Sequence, residues 1–368
     1  MSWAEVYPWH PPQAGGPVIR QVYEQVRGAI HQGALRPGGR LPSSRDLAER
    51  LGVARASVVA AYDQLLAEGY AEGRQGSGTY VSKDLSGVID IRAGHGEAAP
   101  AVSAPNAQAQ RLSTLFPPQA QTFSNGRTLM DARALDAWSK STRRALRTLD
   151  AHHFGYSEPA GDLRLRTAVA EYLRAARAVV CEPDQVLITS GAQHAQELAL
   201  RVLFTPGDQV WLEDPGYAST WQAAQAAGAQ TVAVPVDRSG LVVQAGIAAA
   251  PDARIAFVTP SHQYPTGVAM SMGRRLELVA WAREAGAWVV EDDYATEFRY
   301  AGAPLPSLQG LDGGERVIYV GTLNKALFPG LRLGYLVAPR DLIDRFRAQR
   351  WLTDRQPPTL TQAIVLDF

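Results

Sequence analysis

The run Ile318-Tyr-Val-Gly-Thr-Leu-Asn-Lys-Ala-Leu-Phe-Pro-Gly-Leu-Arg-Leu-Gly-Tyr335 sets a single lysine between an apolar segment and an arginine. Val317 to Val320 is short and β-branched, which predicts a buried strand, and Gly321-Thr322 ends it just before Lys325. In open α/β sheets ligands bind outside the carboxyl ends of strands. An amine there faces a pocket, where partial desolvation favours its use as a nucleophile. Arg332, a little further on, offers a planar, permanently charged fork suited to a phosphate. By itself a lysine after a Gly-Thr turn is an ordinary solvated loop residue; partners elsewhere in the chain give it meaning.

From about Phe123 onward, helical patterns alternate with short apolar runs at Val186 to Thr189, Val210 to Leu212, Thr231 to Val234, Ile255 to Val258 and Trp288 to Val290. That alternation predicts an α/β domain with a mostly parallel sheet covered on both faces. The turns after these strands carry the polar residues. Ser190-Gly191-Ala192-Gln193 opens a helix, and backbone N–H groups at a helix N-terminus make a phosphate cradle. Glu213-Asp-Pro-Gly-Tyr217 supplies an aromatic ring, which either packs on the core or offers a stacking face to a flat ligand. Glu291-Asp292-Asp293-Tyr294 places three carboxylates side by side, so cations or positive dipoles must lie near them. No His or Cys stands at metal-ligand spacing from them, so no metal site is expected.

These turns, in this order, resemble the fold type I pyridoxal-phosphate (PLP) enzymes, the aspartate-aminotransferase fold, through about residues 125 to 350. The resemblance implies that Lys325 is the Schiff-base lysine. It implies that Arg332, Gly191, Ala192, Gln193, Thr322 and Asn324 surround the phosphate, and that Tyr217 stacks on the ring. Asp292 would pair with the pyridine nitrogen and keep the ring electron-poor, while Tyr294 would reach the ring's phenolic oxygen. Two departures stand out. Asn324 occupies the place of the usual serine before the lysine, and Tyr264 precedes the Pro-Thr-Gly turn where the enzymes carry an asparagine, leaving His262 or Gln263 as substitutes. Gly155-Tyr156-Ser-Glu-Pro-Ala-Gly161 resembles the segment whose tyrosine reaches the phosphate of a partner subunit, which implies a homodimer with Tyr156 in that position.

The first eighty or so residues have a different character. Val18, Ile19, Val22, Val26 and Ile30 predict one helix. Leu41-Pro42-Ser43-Ser44 then caps a second helix with Leu47, Ala48 and Leu51 inward, and Arg55 opens a third with Val58, Tyr62, Leu65 and Leu66 inward. A hairpin from Tyr70 to Val81 turns on a Gly-rich tip. The Leu-Pro-Ser-Ser-Arg-x-Leu-Ala element and the Gly-x-Gly-Thr wing resemble the winged helix-turn-helix of the GntR family, over about residues 17 to 82. That implies double-stranded DNA contacts from Arg45, Arg55, Ser57, Arg74, Gln75 and Gly76. Ala54 and Ala56 stand where hydroxyl or amide side chains are common, which places more of the base readout on Arg55, Ser57 and the wing.

The resulting expectation is a winged helix-turn-helix domain at residues 1–83, a Pro- and Ala-rich linker at 84–125, and an aminotransferase-like domain at 126–368. This architecture resembles the MocR/GabR subfamily of transcriptional regulators. It implies PLP as cofactor, an amine or amino acid as effector sensed at Lys325, and little or no enzymatic turnover; the alternatives are an active aminotransferase with an accessory DNA-binding domain and a DNA-binding module whose body has lost its ligand. By the same resemblance most of a C-terminal small domain is missing after Phe368, which predicts weak selectivity among amines and exposed Ile364, Val365, Leu366 and Phe368. The chain's 36 basic and 36 acidic residues balance, so no global field advertises nucleic acid or a membrane surface. One cysteine, Cys181, excludes an internal disulfide framework, and with no long apolar run a cytoplasmic protein is expected.

Overall fold

The computed structural model describes residues 7–13, 15–85, 130–298 and 305–368, which fall into two compact units. All but the first two residues of the expected linker at 84–125 lie outside the described residues.

The N-terminal unit contains α1 (Val18–His31), α2 (Ser44–Leu51), α3 (Arg55–Ala67), β1 (Ala71–Arg74) and β2 (Gly78–Val81). Val22, Val26 and Ile30 of α1 pack with Leu47 and Leu51 of α2 and Val58, Tyr62 and Leu65 of α3 in one core. Val18 and Ile19 are exposed, contrary to the sequence expectation, because the first turn of α1 extends past that core. Ser43 caps α2 by accepting from Asp46 N–H at 3.1 Å, and Gly52 closes the helix at φ 65°, a left-handed conformation that glycine adopts without strain. The antiparallel β1–β2 hairpin turns through Gly76, at φ 71°.

The second unit is built on an eight-stranded sheet. Its elements are α4 (Ala132–Thr148), α5 (Leu163–Arg177), β3 (Val186–Thr189), α6 (Ala192–Leu203), β4 (Gln209–Asp214), α7 (Ala218–Ala226), β5 (Gln230–Asp237), β6 (Gly240–Leu241), α8 (Val243–Ala249), β7 (Ile255–Val258), α9 (Met272–Glu284), β8 (Trp288–Asp293), α10 (Leu308–Asp312), β9 (Val317–Thr322), β10 (Gly334–Val337), α11 (Ile343–Asp354) and α12 (Thr359–Asp367). Strands run in the order β3-β10-β9-β8-β7-β4-β5-β6. The central ladders are parallel, while β10 is antiparallel to both β3 and β9 and β6 is antiparallel to β5. Strands β3, β4, β7, β8 and β9 therefore end at one edge of the sheet, where β10 begins.

Both sheet faces are covered. Leu198, Ala199 and Leu203 of α6 and Phe346 of α11 pack with Leu212, Val290 and Val320 on one side, and Trp281 of α9 packs with Trp211, Ala256 and Val289 on the other. Ile364 and Ala363 of α12 are buried with Ala145 of α4, and Val365 also packs inward. Of the C-terminal residues expected to be exposed, Phe368 is, while Ile364 is buried and Val365 and Leu366 are half-buried, because α4 takes up the Ile364 face of α12.

The Trp211 and Trp281 rings stack at 3.8 Å between centroids, and Gly246 of α8 lies against the Trp211 ring. A Cβ at Gly246 would come within 2.7 Å of the Trp211 ring. Gly246→Ala should therefore lower stability by about 1–3 kcal/mol, read as a shift in the denaturant midpoint.

Candidate active site and DNA-reading face

The end of β8 explains how three adjacent carboxylates coexist. Alternation along the strand separates them, so Glu291 and Asp293 leave on one face and Asp292 on the other. Glu291, fully buried, accepts from the N–H groups of Leu308 and Gln309, each at 3.0 Å, at the N-terminus of α10. Burial and the neighbouring Asp293 still push its carboxyl up to about 7. Asp293 is matched by a buried cation: Arg177 Nε donates to its Oδ2 at 2.7 Å and Tyr319 Oη at 2.6 Å. Arg177 also donates to Leu305 O and Ser261 Oγ, so its whole fork is engaged.

Asp292 differs from both. Gln196 Nε2 donates to its Oδ2 at 2.7 Å, and Thr220 Oγ1 in turn donates to Gln196 Oε1 at 2.7 Å. Its Oδ1, sealed from solvent, has no partner among the described residues. Burial, then the charges of Asp293 and Glu213, push the Asp292 carboxyl up to about 7. Asp292 is one of the residues lining a cavity of about 320 Å³, with Ala192, Gln193, Tyr217, Thr259, Tyr264, Tyr294, Thr322, Asn324, Lys325, Pro329 and Arg332.

The side of this cavity that carries Arg332 is made from two turns. Gly191, at φ 96°, precedes α6, whose first N–H groups have no intrahelical acceptor. A Cβ at Gly191 would lie 3.0 Å from Asn324 Nδ2 and 3.5 Å from the Arg332 guanidinium. Arg332 is itself in the left-handed region, at φ 53°, and its Nη2 donates to Ser190 O at 2.9 Å. Asn324 Oδ1 accepts from Leu333 N–H at 3.0 Å and ties the lysine turn to the arginine turn. Gly334 completes the arrangement: a Cβ there would come within 2.9 Å of Gly191 Cα.

The residues at the Pro-Thr-Gly turn divide. Gln263 is fully occupied, donating to Glu213, Pro215 O and Tyr264 O and accepting from Thr266. His262 lies beside Tyr294, ring centroids 6.0 Å apart, and is not among the lining residues. Tyr264 lines the cavity instead, edge-on to Tyr217 at 5.6 Å and to Tyr294 at 6.2 Å. Burial, with Asp292 and Tyr264 nearby, pushes the Tyr294 phenol up to about 12. Tyr156 lies away from this cavity; it is 79% exposed and packs under the Arg355 guanidinium at 3.6 Å. Gln196, Thr220 and Tyr264 were not anticipated as contributors. Gln196 lies about one turn into α6, and nothing local in the sequence marks it.

In the N-terminal unit, Arg45 and Arg55 are exposed in the first turns of α2 and α3, and Arg55 Nε donates to Ser44 Oγ at 3.2 Å. Ser57 is half-buried in the same turn of α3. Arg74, Gln75 and Gly76 form the exposed hairpin tip, with Arg74 over the Tyr80 ring at 4.2 Å and paired with Glu72.

The sheet and its edge cavity define a PLP-transferase type of domain, and the first unit a winged helix-turn-helix. Residues 123–367 match the family Aminotransferase class I and II, and residues 18–81 match the bacterial regulatory proteins of the gntR family. The chain is 41% identical to the probable rhizopine catabolism regulatory protein MocR of Rhizobium meliloti, over 96% of this chain and 71% of that protein. It is 40% identical to the pyridoxine biosynthesis regulator PdxR of Corynebacterium glutamicum, over 87% of this chain and 65% of that protein. Among solved structures, the kynurenine aminotransferase of Pyrococcus horikoshii superposes with a TM-score of 0.63 at 26% identity, covering 76% of this chain and 71% of that one. The α-aminoadipate aminotransferase LysN of Thermus thermophilus gives 0.62 at 29%, covering 71% and 68%. The chain belongs to the GntR-family transcriptional regulators that carry an aminotransferase class I and II domain, the MocR type.

The cofactor of this fold is PLP, and the residues present fit it. Asp292 Oδ1 is an acceptor lacking a donor, and the space at Gly191 is one that a Cβ would fill.

Asp292 carries a pH consequence for the cofactor-free protein. A carboxyl whose folded pKa lies above its unfolded value binds more protons folded than unfolded, so its contribution to stability falls as pH rises from the usual carboxylate range to about 7 and is flat above. Asp292→Asn should stabilise the cofactor-free protein at pH above about 7 by roughly 1–2 kcal/mol, and the difference should vanish near pH 4. Thermal melts across pH check this.

Proposed function

We propose that this protein is a DNA-binding transcriptional regulator whose second unit holds PLP through Lys325 and responds to an amine or amino acid that competes for that linkage. The observation that carries the reading is that Asp292, whose buried Oδ1 has no partner among the described residues, lines the same cavity as Lys325. PLP bound there supplies an electrophilic carbon and an electron-poor ring. The chain's own groups do the rest. Lys325 offers the amine, Asp292 would accept a hydrogen bond from the protonated ring nitrogen, and Arg332 with the start of α6 would take the phosphate. Tyr217 gives a stacking face, and Tyr294 offers a phenol to the ring oxygen, with Tyr264 beside it. Thr322 and Asn324 shape the phosphate end; His262 stands outside this set.

The partner copy belongs to the same reading. Tyr156, Phe154 and Leu352 are each more than three-quarters exposed, a surface that a homodimer would cover and from which Tyr156 would reach the other copy's phosphate. Each head reads double-stranded DNA through Arg45, Arg55, Ser57, Arg74, Gln75 and Gly76, and the protein acts in the cytoplasm. An aminotransferase with an accessory DNA-binding unit is the rival; it would release a keto acid with turnover, where a sensor needs only a ligand that stays.

Purified protein reconstituted with PLP should absorb in the near-visible and be trapped on Lys325 by borohydride, and Lys325→Ala should abolish both. Retention of the same band and of borohydride trapping by the variant would show that another lysine holds the cofactor. Arg55→Ala should weaken specific DNA binding by about 1–3 kcal/mol if it reads a base, and uniformly across sequences, with a shallower salt slope, if it contacts phosphate. Footprinting and salt titration separate these outcomes.

A further inference from the structure

Ser190 at the phosphate turn is held from below by a side chain outside the cavity lining. Its N–H donates to His194 Nδ1 at 3.2 Å, while its carbonyl accepts from Arg332. An imidazole nitrogen that accepts cannot carry a proton, so the ring must be the Nε2–H tautomer. His194 is 12% exposed and its Nε2 is buried without a partner among the described residues.

The groups facing the ring come from three elements. Arg350 and Asp354 belong to α11, Arg332 to the loop before β10, and Arg201 to α6 itself. Arg350 is fully buried and donates to Ile188 O at 2.6 Å, one residue inside the end of β3, so α11 grips the strand that leads into the turn. Asp354 lies 4.0 Å from His194 Nδ1 and is itself bound to Arg350. Burial, then the Arg350 charge, hold the imidazole down to about 4, which keeps Nδ1 free to accept at neutral pH.

We infer that His194 is a positioning residue for phosphate recognition: its neutral imidazole orients the Ser190 peptide, and with it the Gly191–Gln193 N–H groups, toward the phosphate. This rests on the placement of PLP at that turn. A generic packing role predicts loss of stability on substitution; a positioning role predicts loss of discrimination for the phosphate. The two are separable because pyridoxal offers the same aldehyde and ring without the phosphate.

The test titrates the full cofactor-free chain with PLP and with pyridoxal, for the unsubstituted protein, His194→Leu and His194→Asn. Leucine keeps bulk and removes the acceptor, while asparagine returns an oxygen near the Nδ1 position. His194→Leu should lose about five- to tenfold in PLP affinity, with pyridoxal unchanged, and His194→Asn should recover most of it. Long-range ¹H–¹⁵N correlations on the unsubstituted protein should report the Nε2–H tautomer, a readout independent of whether the variants fold. An unchanged PLP-to-pyridoxal ratio in His194→Leu, or an Nδ1–H or doubly protonated ring at neutral pH, overturns the inference. If the unsubstituted protein binds neither aldehyde at Lys325, the cofactor reading falls with it.

Discussion

The ion pair between Arg177 and Asp293 underlies the site. Both side chains are 2% exposed, and a buried charge left without its partner costs several kcal/mol, so neither can be removed without remodelling the end of β8. With Asp293 bound to Arg177 and Tyr319, and Glu291 bound to the start of α10, two of the three clustered carboxylates are committed to structure. Asp292 alone of the three keeps an oxygen without a partner among the described residues. The pair also connects α5 to β8 and, through Leu305 and Ser261, to the segments before α10 and after β7. One guanidinium thus fixes several of the segments that surround the cavity.

Much of this was legible from residue order alone. The strand ends at Thr189 and Val258 followed from short β-branched runs ended by polar turns, because a strand buried on both faces has a strong local signature, whereas the runs ending at Leu212, Val290 and Val320 continue as strand through Asp214, Asp293 and Thr322, where ladder pairing carries polar residues and glycine that composition assigns to turns. The αL cap at Gly52 and the N-cap at Ser43 were readable for the same reason: a few neighbouring atoms determine them. What sequence concealed is long-range. Nothing local in Arg177 marks it as the partner of Asp293, and Gln263 could be assigned to the ring or to structure until Glu213 and Pro215 were seen to engage it. The exposure of Val18 and Ile19 and the burial of Ile364 likewise depend on where a neighbouring helix lies, which periodicity does not report.

Raised carboxyl pKa values at Glu291 and Asp292 have opposite meanings despite similar size. Glu291 accepts two backbone N–H bonds and sits at a helix N-terminus, so its burden is one of folding. Asp292 has a free oxygen, so its burden is relieved when a donor arrives. A raised carboxyl pKa points to ligand binding only where an unsatisfied atom accompanies it.

The reversed strand β10 has a consequence for how lengths are kept. Gly334 pairs with both Thr322 and Thr189, so the whole loop carrying Lys325 and Arg332 begins and ends at one rung of the ladder. Lys325 and Arg332, the two groups proposed to hold the ligand, are therefore gauged within a single closed loop, cross-braced by Asn324 and Leu333, rather than between separate elements. On the proposed reading the span between the ligand's two points of attachment is set inside that one loop, like the fixed jaws of a calliper.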